Sequence, residues 1–138
     1  MRLWHKDLIS KLPREQLVAQ WRECSAIAGA IQKNGTPNHL LVNYVMDYPI
    51  DMFISYSILV REEMTRRGYK TMQSVMDKIL NLKNGYQILN KKEIYPEIHN
   101  DAYYKICYWN LYEKWIRGGI EDKYAALLNF DQFAIDKI

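Results

Sequence analysis

The stretch PREQLVAQWRECSAIAGAIQKNG, Pro13 to Gly35, decides the fold. Proline suits the first turn of a helix, where its missing N–H is not needed. Leu17, Trp21, Cys24, Ala28 and Ile31 then recur at three- and four-residue spacing, with Val18 and Ile27 beside them. That is one apolar face of an amphipathic helix of roughly twenty residues. Arg22 and Glu23 fall near its edge. Asn34-Gly35-Thr36-Pro37 is a breaker cluster and ends the helix.

Outward from this helix the pattern stays helical. Residues 38–49 read as a connector or short helix ending at Pro49. Asp51 is placed to cap a second helix running to about Arg67, with Phe53, Tyr56, Leu59, Val60 and Met64 as its buried stripe and Gly68 as its stop. Thr71 is placed to cap a short helix through Val75, Ile79 and Leu82, and Asn84-Gly85 reads as a loop. Asn100 or Asp101 then caps a long aromatic helix that ends at Gly118-Gly119. Its rings Tyr103, Tyr104, Tyr108, Trp109, Tyr112 and Trp115 are expected to be mostly core, with one or two exposed. A last short helix around 121–130 precedes a tail. The expected fold is all-α, one compact bundle of three main helices plus short ones, with residues 1–138 forming a single domain.

Composition narrows the class. The 138 residues suffice for a real core, and 49% apolar with 25% charged residues is ordinary for a soluble globular protein. No apolar run approaches the roughly 20 residues needed to span a bilayer. The first residues lack the apolar stretch of a signal peptide. Cys24 and Cys107 are too few for a disulfide framework and read as reduced core thiols of a cytoplasmic protein. His5, His39 and His99 are scattered without metal-ligand spacing, so no metal site is expected. Residues 1–33 hold six Lys or Arg against three Asp or Glu, and the remainder balances, so the first quarter carries the whole net charge of +3. Such a local field suits a polyanion such as DNA.

The chemistry concentrates on Met1-Arg2 and Arg22-Glu23. An α-amine has a reference pKa of about 7.7–8.0 against about 10.4 for lysine, so far more of it is neutral near pH 7. A neutral amine can attack a sugar C1′ and form an imine, which acidifies the adjacent C2′ hydrogen. Glu23 is suited to handling that proton, and the planar fork of Arg22 matches phosphate oxygens. The same pair also reads as solvated surface charge. Arg66-Arg67 could meet phosphate or simply complement the end of a helix.

The chain resembles the small pyrimidine-dimer DNA glycosylases of the phage endonuclease V type. The resemblance rests on Arg2, Leu17, Ala19, Trp21, Arg22, Glu23, Gly29-Ala30 and Lys33, and resumes at Glu63 and Arg67-Gly68-Tyr69. It implies an all-helical enzyme without metal or other cofactor, acting as a monomer on damaged or abasic double-stranded DNA. By resemblance, Met1 supplies the nucleophilic amine, Glu23 is the catalytic acid, Arg22 is catalytic and holds DNA, and Arg2, Gln16 and Lys33 contact DNA. Arg2 should block removal of Met1, so Met1 is expected to be retained. Gln16 stands where the phage enzyme has histidine, and Ala26 where it has a phosphate-binding arginine. The family's C-terminal Trp-Tyr-rich segment has no clear match in Asn129–Ile138, so abasic-site chemistry is better supported than dimer specificity. Two other functions fit the pattern: a non-catalytic nucleic-acid-binding module, and a protein-interaction domain with the aromatic helix as its face.

Overall fold

The computed structural model describes residues 1–130, and the expected tail lies outside them from residue 131 on. Five α-helices follow in order: α1 Arg14–Asn34, α2 Ile50–Arg66, α3 Gln73–Leu80, α4 Asp101–Ile116 and α5 Asp122–Leu128. Short 3-10 helices lie at Lys6–Lys11, Asn43–Met46 and Lys91–Glu93. No strand occurs among the described residues. No helix there is long and apolar enough to cross a membrane.

The first helix forms where its periodicity puts it. Pro13 precedes it and Gly35 ends it at φ 76°, donating its N–H to the Ile31 carbonyl at 2.8 Å. Only glycine takes that left-handed conformation without a Cβ penalty. Leu17, Trp21, Cys24, Ile27 and Ala28 are buried, as are Phe53, Tyr56, Val60 and Met64 of α2. Val18, Ile31 and Leu59 are half-buried at the rim. Fully burying one such side chain is worth about 1.5–3 kcal/mol, so this α1–α2 seam supplies much of the driving force for folding.

Two cap assignments are corrected. Asp51 lies inside the first turn of α2, whose N-cap is Pro49. Its carboxylate instead accepts Lys83 Nζ and the Gln87 N–H, each at 2.7 Å, and so ties down the 83–87 loop. The Lys83 hydrogen bond, with the Gln87 N–H, holds its pKa below the ordinary value. The N-cap of α3 is Met72, and Thr71 Oγ1 accepts from Arg61 Nε at 2.9 Å. Both side chains satisfy tertiary partners that local spacing cannot reveal. Asn100 does cap α4, accepting the Tyr103 N–H at 2.9 Å. On that helix Tyr108 is buried and Tyr103, Tyr104, Tyr112 and Trp115 are half-buried, while Trp109 is exposed. Tyr108, Tyr112 and Trp115 gather around the buried Phe130, with centroids 5.3, 5.6 and 5.4 Å away.

Cys24 and Cys107 are buried and free. Burial pushes the Cys24 thiol up to about 12, so it stays protonated and is no nucleophile. Arg67 donates to the Leu12 carbonyl at 2.7 Å and to Glu63 at 2.6 Å, and Glu63 also pairs with Arg66. This cluster locks the end of α2 against the segment leading into α1.

Candidate active site

The first residues form no regular structure, so their backbone groups must find partners elsewhere. Three helices and one loop supply them. Trp4 N–H donates to Gln20 Oε1 at 2.7 Å, and Gln20 Nε2 donates to the Arg2 carbonyl at 3.0 Å. The Tyr56 hydroxyl of α2 donates to the Trp4 carbonyl at 2.6 Å. The Tyr103 hydroxyl of α4 donates to the Leu3 carbonyl, also at 2.6 Å. Lys6 N–H donates to His99 Nδ1 at 2.9 Å, and Lys6 Nζ to the Ile94 carbonyl at 2.7 Å. Leu3 through Lys6 are buried, while Met1 is exposed at the open end of this arm. The arm is therefore anchored in the core and ends in an exposed Met1.

Glu23 lies half-buried beside that end. Burial raises its pKa above the ordinary value. The charge of the Met1 amine opposes this, as do the Arg2 backbone, His39 and the Gln20 side chain. Gln20 Nε2 donates to Glu23 Oε2 at 3.1 Å. The amine, the arm's backbone and the carboxylate thus belong to one electrostatic unit. A carboxyl held partly out of water by burial keeps a proton more readily than a free one, which suits a group that must both take and give protons.

A cleft of about 550 Å³ opens here, lined by Trp4, Arg14, Gln16, Arg22, Glu23 and Lys114 among others. Arg22 is exposed and sits next to Glu23 on α1. The Arg2 guanidinium lies over the Trp4 ring, 5.6 Å from its centroid. Gln16 Oε1 is buried without a hydrogen-bond partner. Arg14 and Arg22 of α1 and Lys114 of α4 line the cleft beside two carboxylates, Glu15 and Glu23, so the cations outnumber the acids where an anionic polymer would meet a proton-transfer group.

Of the residues expected from sequence, Gln16, Arg22 and Glu23 come together in this cleft, with Met1 and Arg2 at its arm. Lys33 does not. It lies exposed in the last turn of α1, about 15 Å along the axis from Glu23 at 1.5 Å rise per residue. Gln20, Tyr56, Tyr103, His39 and Lys114 also reach the site. Gln20 left a trace, being a polar residue inside the apolar stripe of α1, three positions from both Leu17 and Glu23. The others come from distant segments and leave none. The scattered histidines also converge in part: His5 and His99 stack with centroids 5.1 Å apart. No group of three or more His, Cys, Asp or Glu that could hold a metal ion occurs among the described residues.

A family profile described as pyrimidine dimer DNA glycosylase matches residues 1–77. That covers more than half of the chain, including the arm, α1 and α2. No curated protein and no solved structure matches it.

Proposed function

The chain belongs to the pyrimidine dimer DNA glycosylase family, and from that premise we propose a glycosylase with coupled abasic-site lyase activity, acting through the α-amine of Met1. The neutral amine attacks C1′ of the damaged nucleotide. The glycosidic bond breaks, the base takes up a proton (in a dimer it stays joined to the neighbouring pyrimidine), and the opened sugar becomes an imine. Loss of the C2′ hydrogen then expels the 3′ phosphate, and water releases the enzyme from the imine. Pyrimidine dimers and abasic sites are the candidate substrates.

Glu23 moves the protons in this scheme. Arg22, beside it in the cleft, grips a backbone phosphate through its fork. Arg2 and Gln16 contact the strand near the arm, and Lys33 meets the backbone farther along α1. The scheme calls for no metal, so a chelator is expected to leave the rate unchanged.

The observation that carries the reading is electrostatic and geometric at once. The charge of the Met1 amine acts on Glu23, and one side chain, Gln20, bonds both the arm and that carboxylate. Borohydride reduction in the presence of abasic duplex DNA tests it. The expected result is a covalent adduct with the unblocked protein, none with an N-formylated one, and loss of turnover in Glu23→Gln. Salt-dependent DNA binding that survives both changes, without any adduct, would leave a non-catalytic binding module instead.

A further inference from the structure

Gln20 is wholly buried, at 0% exposure, on a helix face that is otherwise apolar. A buried amide is costly unless its groups are paired. Here both ends are paired, and always to functional parts of the site. Oε1 accepts the Trp4 N–H at 2.7 Å and lies 2.9 Å from the Tyr56 hydroxyl. Nε2 donates to the Arg2 carbonyl at 3.0 Å and to Glu23 Oε2 at 3.1 Å. The backbone N–H of Trp4 can only donate, so it fixes which end of the amide is oxygen. Nε2 must then face Arg2 and Glu23.

We infer that Gln20 is the positioning residue of the site, joining the arm that bears the nucleophilic amine to the carboxylate that handles its protons. This rests on the function proposed above and adds a residue to it. The amide performs two tasks. It fixes the Arg2 carbonyl, one residue from the amine, relative to Glu23. It also donates to the carboxylate, which favours the charged form against the burial that disfavours it.

The charged and titratable groups around Glu23 are the Met1 amine and Arg2 of the arm, Arg14, Glu15 and Arg22 on α1, His39 in the loop after α1 and Lys114 across the cleft on α4. Changing Gln20 removes none of these groups but frees the arm that carries the amine. The pH profile of abasic-strand cleavage therefore reads the loss of Gln20 as a change at Glu23 and the adjoining arm.

Two variants test the inference. Gln20→Met keeps the length and removes every hydrogen bond. Gln20→Glu keeps the volume and the acceptor for Trp4 N–H, removes the donor to both the Arg2 carbonyl and Glu23, and sets a like charge against that carboxylate. In both, the acid limb of the rate profile should move to higher pH, by about one unit in Gln20→Met for a lost hydrogen bond to a charged group and further in Gln20→Glu, where the new carboxylate repels Glu23. Cleavage at pH 7 should fall at least tenfold. A side chain that merely fills the core would lower the rate at every pH and leave the limb in place. If Gln20→Met does not fold, Gln20→Glu decides. A folded variant with an unmoved limb overturns the inference while wild-type trapping by borohydride keeps the proposed function. Absence of wild-type trapping overturns the function itself.

Discussion

Arg67 Nη1 donates to the carbonyl of Leu12, 55 positions earlier in the chain, at 2.7 Å. The same guanidinium reaches Ser10 O at 3.2 Å and Glu63 Oε2 at 2.6 Å. Burial acts to raise the Glu63 carboxyl, and hydrogen bonds from Arg66 and Arg67 outweigh it and hold the pKa below the ordinary value. A cation so engaged is not available to phosphate. Arg67→Ala should therefore cost about 2–4 kcal/mol, since it strips bonds from a buried carboxylate and two carbonyls. Urea unfolding should show the loss as a lower midpoint. The salt dependence of DNA binding should keep its wild-type slope, whereas removal of a phosphate contact would reduce that slope by about one.

The histidine pair makes the fold sensitive to acid. His99 is buried, and its Nδ1 accepts the Lys6 N–H, so the neutral ring is the one that fits. Burial, helped by the charges of His5 and Lys6, pushes its pKa down to about 3 from 6.5. The unfolded chain thus binds a proton that the folded one refuses. The resulting stability is complete above pH 6.5 and is lost as pH falls toward 3. Burial also lowers the His5 pKa, which adds in the same direction. Thermal melts between pH 6.5 and 4.5 lie above most carboxylate titrations. There Tm should fall in the wild type and fall less steeply in His99→Gln.

Glu23 shows the opposite sign. Its folded pKa is raised by burial, so at neutral pH the fold holds a charge that the unfolded chain solvates better. That penalty disappears as pH falls through the folded value. Glu23→Gln should consequently raise Tm at pH 7 while abolishing turnover, a trade of stability for function expected at a catalytic carboxyl. Differential scanning calorimetry at pH 7 and pH 4 checks it: the gain should be present at the first and shrink at the second. A lower Tm at pH 7 would show that the carboxylate is held by its partners more strongly than burial disfavours it.

The parts of this molecule legible in sequence were the local ones. Pro13, Gly35 and the Leu17–Trp21–Cys24–Ala28 spacing set α1, and Asn100 set the start of α4, because caps and periodicity act over a few residues. Asp51 and Thr71 misled for the same reason. Each looks like a cap in its own neighbourhood, yet each bonds a partner elsewhere, Lys83 or Arg61. The site divides in the same way. Arg22-Glu23 on a helix and a basic N-terminal stretch could be read directly. That Tyr103 reaches back 100 positions to Leu3, or that Lys6 meets His99 across 93, depends on tertiary packing. Gln20 lies between these cases: its place was visible as a break in the apolar stripe, but its four partners were not.

Arg22 and Lys33 offer the sharpest separation of site from surroundings. Both are exposed on α1, so neither substitution should cost more than a few tenths of a kcal/mol in stability. Their positions differ. Arg22 lines the cleft beside Glu23, and Lys33 stands at the helix end outside it. If both meet phosphate, Arg22→Gln and Lys33→Gln should each lower the salt slope of DNA binding by about one. Only Arg22→Gln should also slow single-turnover cleavage of bound abasic DNA, because its phosphate adjoins the reacting sugar and fixes C1′ against the amine. Filter binding across a salt series, paired with single-turnover rates at saturating enzyme, measures the two effects independently. Equal loss of cleavage in both variants would mean that the reacting nucleotide is positioned by the whole length of α1 and not by the cleft.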